Sequence, residues 1–419
     1  MYQAGSSSFT GRGKSRFIAI KFEWSETMIS RLLHSIFCML IIVFLVSGCS
    51  KAPQTGEPGG PAPAVIEVWH SLLGAQADAL QNQVQAINKA HPQVIVKLRY
   101  VPEQNFAAFT YQAEAGGEGP EIFIARREII RQLYSQGTLA KVAYADQGSF
   151  TAAAAGFRFG DTQYALPWLT DVPMLYYRTD TANAPSTLAD LFSSQGGISV
   201  PAADTATLSA WWSGQGGALM TGGNPALDNP SNLAFLQQLI AWQNAKSLRI
   251  DPQALTSFAG GQAPYVIAGA SQSVLLNQQK VPWGCVSLTD LTAGQGEPLL
   301  GLTFGIANSA IMTKDLSPEI KIVEQALLQP DVEGALAKSG SLLPANMAYY
   351  QLPEAQKGIF PQAYRAFSKA WGLVGSAPEW NLISLQDTAW SNALAGSSSP
   401  QDALTSAQAQ ALKALNKSS

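Results

Sequence analysis

Apolar and polar positions along this chain repeat with two periods, and the switches between them lay out its elements. Val65-Ile66-Glu67-Val68-Trp69 is a short β-branched run, after which Ala77, Leu80, Val84 and Ile87 recur at spacings of three and four, one face of a helix. His91-Pro92 stops that helix, because proline pushes the residue before it out of helical backbone. Val94-Ile95-Val96-Lys97-Leu98 reads as a second strand, residues 106–115 as a helix and Glu121-Ile122-Phe123-Ile124 as a third strand. This βαβα order predicts an α/β fold with a mostly parallel sheet and helices on both faces. Further strands are predicted at 164–168, 174–177, 198–201, 265–268 and 302–307, and further helices at 205–213, 231–245, 318–328, 361–371, 381–395 and 401–415. The last helix places Leu404, Ala407, Ala411 and Leu415 on one packing face.

Upstream of the first strand the pattern is different. Ile36 to Val46 is an uninterrupted apolar run of eleven residues between Arg31 and Ser47-Gly48-Cys49, well short of the roughly 20 residues a spanning helix needs. A basic start, a short apolar stretch and small residues at its end describe a secretory signal. Residues 1–27 fit no part of such a signal, and Met28 reads as the initiator, so the signal peptide is assigned to 28–48. Residues 49–63, rich in Pro and Gly and without apolar period, read as a flexible tether.

Composition narrows the function. The chain has 419 residues, 47% apolar and 13% charged, so it can build a large core, and its polar surface rests on Gln, Asn, Ser and Thr. Removing residues 1–48 leaves 21 Lys and Arg against 27 Asp and Glu, which argues against a nucleic-acid partner. Two of the three cysteines, Cys38 and Cys49, belong to the N-terminal segment, so there is no disulfide framework, and no metal site or cofactor is expected.

Catalytic groups are scarce. Past the signal the histidines are His70 and His91, and His91 sits at a helix end, where it reads as a surface residue. Gly116-Gly117-Glu118-Gly119 and Gly214-Gln215-Gly216-Gly217 lack the Lys-Ser/Thr ending of a phosphate loop and read as turns. Cys285, without a partner thiol, reads as structural. What is plentiful is indole: Trp69, Trp168, Trp211, Trp212, Trp283, Trp371, Trp380 and Trp390. Aromatic faces stack on sugar rings while polar side chains take the hydroxyls.

Several segments, in order, resemble the bacterial extracellular solute-binding proteins of ABC importers, in the branch that includes maltose-binding protein. They are Glu67-Val68-Trp69-His70, Gly117 to Ile122, Leu133 to Leu139, Tyr164-Ala165-Leu166-Pro167 with Asp171 and Leu175-Tyr176-Tyr177, Gly216-Gly217, Asn229-Pro230, Gly261 to Gly269, Leu302 to Ala307 and Gly340 to Pro344. Val46-Ser47-Gly48-Cys49 resembles a bacterial lipobox, which implies lipidation of Cys49 and an anchor outside the cytoplasmic membrane, periplasmic or cell-surface.

The resemblance implies a two-lobed periplasmic-binding-protein fold with three hinge crossings, near residues 171, 301 and 346. Lobe I is then 64–170 with 302–345, and lobe II is 171–301 with 346–419. Ligands of open α/β sheets bind beyond the carboxyl ends of strands, which makes Trp69, His70, Ser71 and Arg126 candidate contacts. Asp171, at a crossing, would accept hydroxyls, Ser271 and Gln272 would add polar contacts, and Trp168, Trp283 and Trp380 would stack. The maltodextrin binder's stacking aromatics are replaced by Ala125 and Ser271, which argues against long maltodextrins. The implied function is a lipoprotein, not an enzyme, that delivers a carbohydrate to an ABC permease. The alternatives are an anionic solute held by Arg126 and a secreted carbohydrate-active enzyme.

Overall fold

The computed structural model describes residues 62–142, 148–193, 197–292, 296–312, 317–340 and 342–415. The apolar signal, the lipobox with Cys49 and the tether lie outside the described residues, apart from Ala62 and Pro63.

Two sheets carry the fold. The first is built from β1 (Ala64–His70), β2 (Val94–Tyr100), β3 (Ile122–Arg126), β4 (Ala165–Thr170), β10 (Thr303–Asn308) and β11 (Leu343–Pro344), in the order β11-β4-β10-β3-β1-β2. The second is built from β5 (Pro173–Arg178), β6 (Ile198–Val200), β7 (Leu248–Ile250), β8 (Tyr265–Gly269) and β9 (Trp283–Ser287), in the order β7-β6-β8-β5-β9. The chain passes from β4 to β5 through Asp171-Val172 and returns from β9 to β10 through the segment ending at Leu302.

The expected mostly parallel sheet is corrected here, because both sheets are mixed. β1 pairs in parallel with β2 and β3, but β10 runs antiparallel to β3 and β4, and β5 runs antiparallel to β8 and β9. The physical cause is the crossing itself. A strand that enters a sheet from its neighbour starts where the resident strands end, so Thr303 pairs with Thr170, and Pro173 pairs with Gly269. The carboxyl ends of β1, β2, β3 and β4 therefore share one edge with the start of β10.

Helices α1 (Ala75–Ala90), α7 (Ser317–Leu327) and α8 (Pro330–Lys338) cover one face of the first sheet, where Ile66, Val68, Leu80, Val84, Val323 and Leu336 pack. Helices α2 (Phe106–Ala115) and α3 (Arg127–Ser135) cover the other, with Trp69, Phe106, Phe123 and Ile130. The second sheet is covered by α4 (Leu188–Ser193), α5 (Ser209–Gly214), α6 (Pro230–Asn244), α10 (Glu379–Leu394) and α11 (Pro400–Leu415) on the Leu175 face. On its Tyr176 face lie Phe258, Tyr349, Tyr350 and Phe367, the last from α9 (Phe360–Lys369). Each such side chain contributes about 1.5–3 kcal/mol by leaving water, so four apolar faces of this size hold two separately packed sheets. Leu404, Ala407 and Ala411 of the expected α11 stripe are buried. Tyr176 and Tyr177 face opposite ways, as strand pleating requires: Tyr176 is fully buried, and Tyr177 packs against the other cluster.

Candidate functional site

The first crossing is locked by its own side chain. Asp171 Oδ1 accepts from the backbone N–H groups of Val172 (2.9 Å) and Ser271 (3.1 Å), and Oδ2 accepts from the Ser271 hydroxyl (2.6 Å). Burial pushes the Asp171 carboxyl up to about 6, against the pull of the Ser271 and Val172 donors. Close approach fixes the neighbours: a Cβ on Gly269 would strike the Asp171 carboxylate, and one on Gly301 would strike the Asp171 carbonyl oxygen. Asp171 and Ser271 are thus brought together, as a joint between the crossing and the end of β8. Gln272 is half-buried beside them and precedes the short helix Ser273–Gln278.

A cavity of about 150 Å³ opens onto this joint, lined by Asp171, Val172, Pro173, Pro201, Ala206, Thr207, Ile267, Ala268, Gly269, Gly301 and Leu302. It touches both crossings and the carboxyl ends of β6 and β8. Of the expected site residues, Asp171 lines it. Pro201 ends the strand predicted at 198–201 and Gly301 precedes the one predicted at 302–307, but neither was singled out from the sequence. Ala206 and Thr207 carried no such signal.

His70 ends β1, and Ser71 follows it, on the same edge as the start of β10. Both are buried, at 5% and 8% exposure, and His70 Nδ1 and Ser71 Oγ meet no hydrogen-bond partner. Burial pulls the imidazole down to about 4, against a backbone hydrogen bond at Leu72, so His70 is neutral at physiological pH. Tyr100, the parallel partner of His70, is exposed beside it with ring centroids 6.1 Å apart. The predicted strand stops at Leu98, whereas the observed one runs to Tyr100, so the sequence pattern does not mark Tyr100 as a strand-end residue.

Arg126 ends β3, but its charge is already engaged. Nη1 donates to Glu103 Oε1 at 2.6 Å, and Nε lies 3.6 Å from Glu128 Oε2. Glu103 pairs with Arg126 directly, while Glu128 lies farther from it and is shared with Arg127. Arg127, missed in the sequence because its neighbour took the strand-end position, is 3% exposed and donates to the carbonyls of Leu299 (3.3 Å) and Leu300 (3.2 Å) and to Glu128.

The tryptophans need three corrections. Trp69 is 2% exposed, donates Nε1 to Glu67 Oε1 at 2.6 Å and belongs to the core under α2 and α3. Trp168 is fully buried with Nε1 donating to the Leu327 carbonyl at 2.9 Å, so it has no face to offer a ligand. Trp283 pairs with Arg178 at the end of β9 and β5 farthest from the crossing, and donates to Asn277 Oδ1 at 3.1 Å. Four residues of strand, roughly 13 Å at about 3.3 Å each, separate it from the cleft edge. An indole looks the same in sequence whether it fills a core or faces a ligand, and strand register decides between them. Trp380 is half-buried near the second crossing, with the Arg127 guanidinium 4.0 Å from its ring centroid.

A family model described as bacterial extracellular solute-binding protein matches residues 82–362. The chain belongs to this family. Solved structures of similar fold include the GacH receptor of Streptomyces glaucescens GLA.O, determined unliganded and with acarbose and an acarbose homolog (TM-score 0.69, 20% identity, 84% of this chain and 98% of that one). A cyclo/maltodextrin-binding protein complexed with maltotetraose gives TM-score 0.72 at 15% identity, over 85% of this chain and 98% of that one. The maltose-binding periplasmic protein of Listeria monocytogenes, in complex with maltose, gives 0.69 at 15% identity, over 84% and 98%. No curated protein matches the chain in sequence. This solute-binding protein therefore has the two-lobed fold of the maltose-binding type, and its family places it outside the cytoplasm.

Proposed function

We propose that this solute-binding protein captures a small neutral carbohydrate between its lobes and delivers it unchanged to an ABC permease, while anchored by a lipid on Cys49. The observation that carries the reading is the direct pairing of Arg126 with Glu103 at 2.6 Å. It leaves the strand-end edge with a neutral imidazole, hydroxyls and a phenol, which suit sugar hydroxyls. Solved proteins of this fold hold acarbose, maltotetraose and maltose, which supports the sugar class. The lobes are 64–170 with 302–345 and 171–301 with 346–419, hinged at the three crossings, and a ligand touching both favours the closed arrangement by its differential affinity.

A thermal-shift screen over neutral sugars, sugar acids, polyamines and phosphates tests it. Ligand at 100 times its dissociation constant adds about 2.7 kcal/mol of stability, a clear rise in melting temperature. The reading expects the rise with a neutral sugar, and a rise confined to sugar acids or phosphates would replace it with an anionic solute.

A further inference from the structure

Trp380 opens α10 and does not face the cavity with a free ring. The Arg127 guanidinium lies 4.0 Å from its centroid, and that of Arg131, one turn further along α3, lies 5.6 Å away. Its Nε1 donates to the Val374 carbonyl at 2.8 Å, and Arg131 Nη2 reaches Asn381 Oδ1 at 3.5 Å. This contact joins α3, which covers the first sheet, to α10, which covers the second.

The wall so formed is fixed. Arg127 is buried and held by two carbonyls of the second crossing and by Glu128, so swinging it aside would strip a buried charge of its partners. It also borders the ligand space. Trp380 and Ala206 both pack against the cluster of Leu300, Leu373 and Ala377; Ala206 lines the cavity, and so does Gly301, which follows Leu300. That cavity, about 150 Å³, is smaller than the roughly 300–1,000 Å³ of ordinary ligand pockets.

Resting on the carbohydrate reading above, we infer that the clamp of Trp380 by Arg127 and Arg131 closes one end of the cleft and makes the protein selective for sugars of one or two rings. Trp380 is on this account a specificity-determining residue, acting as a stop and not as a platform. Its cation–π partners hold the indole where a third ring would extend.

The test is titration calorimetry on the detergent-solubilised full chain. The probes are glucose, maltose, maltotriose and maltotetraose, with the galactose and xylose series of the same lengths. Wild type is expected to bind a one- or two-ring member of one series at least 100-fold tighter than its four-ring member. Trp380→Ala is expected to reduce that ratio at least tenfold by admitting the longer chain. Should Trp380→Ala not fold, Arg131→Ala, which removes the half-exposed partner, is expected to reduce it at least threefold. Equal wild-type affinity for two and four rings overturns the stop and leaves the carbohydrate reading standing. Loss of all binding in Trp380→Ala also overturns it, since the indole would then be a platform. No binding by wild type to any probe overturns the carbohydrate reading, and the inference with it.

Discussion

Ser271 grips both oxygens of the Asp171 carboxylate, donating its hydroxyl to Oδ2 at 2.6 Å and its backbone N–H to Oδ1 at 3.1 Å. The two residues are 100 positions apart, one on the first crossing and one just beyond β8. Their bond fixes the angle at which the chain leaves one sheet for the other, and it holds in place a carboxylate that lines the cavity.

Ser271→Ala removes a hydrogen bond to a charged group, a loss of about 1.5–3 kcal/mol. Urea unfolding should show that loss with an unchanged denaturant slope. Asp171→Ala should cost at least as much, and the double variant less than the sum of the two, because both remove the same bond. Additive losses would mean that the contact does not form in solution.

Gly301→Ala tests the packing of the two crossings against each other. A Cβ there collides with the backbone carbonyl of Asp171, which cannot yield as a flexible side chain would. Overpacking of this kind costs about 1–3 kcal/mol. Unfolding at a lower urea midpoint checks it, and wild-type stability would show that the crossings stand further apart than described.

Glu297, on the second crossing, is fully buried and accepts from the Ser209 hydroxyl at 2.5 Å. Burial pushes its carboxyl up to about 7, against that donor. A carboxyl raised on folding binds its proton more tightly in the native state. Its contribution is therefore full below about 4.5 and is lost as pH rises through about 7. Asp171 acts in the same sense through about 6, whereas His70, lowered on folding, acts in the opposite sense between about 4 and 6.5. The stability of Glu297→Gln relative to wild type isolates the first term. It should rise by about 1–3 kcal/mol between pH 4.5 and 7.5. Parallel pH profiles for the two proteins would rule out an ionising Glu297.

On the proposed lipid anchor, Cys49→Ser should release the protein from membranes, because Cys49 is the cysteine that directly follows the Val46-Ser47-Gly48 end of the apolar run. Membrane fractionation reads this directly, and unchanged attachment would remove the lipoprotein claim.

The fold was legible where local pattern and tertiary fate agree. Leu80, Val84 and Ile87 recur at helical spacing and are buried on α1, and the run from Val65 to Trp69 lies within β1. Strand direction was not legible, since β10 reads like any other strand, and only its entry from the crossing makes it antiparallel. No strand is predicted at β9, where Pro282 and Gly284 interrupt the apolar pattern, although Gly284 pairs with Tyr177 within a strand. At the candidate site, His70 was singled out by its place after a strand, and Asp171 and Ser271 through the family resemblance. The fates of Trp168 and Trp283 were not legible, because register and long-range packing set them, and the grip of Arg127 on Leu299 and Leu300 spans more than 170 positions.

The most direct test of the central claim, capture of a small neutral sugar, is calorimetric titration of a neutral monosaccharide or disaccharide and of its uronic acid at two salt concentrations. Arg126 is paired with Glu103, and a neutral sugar brings no charge for its guanidinium to meet. The account predicts tight binding of the neutral sugar, an affinity independent of salt, and a change of less than about fivefold in Arg126→Ala. Binding confined to the uronic acid, weakening with added salt and abolished in Arg126→Ala, would contradict it.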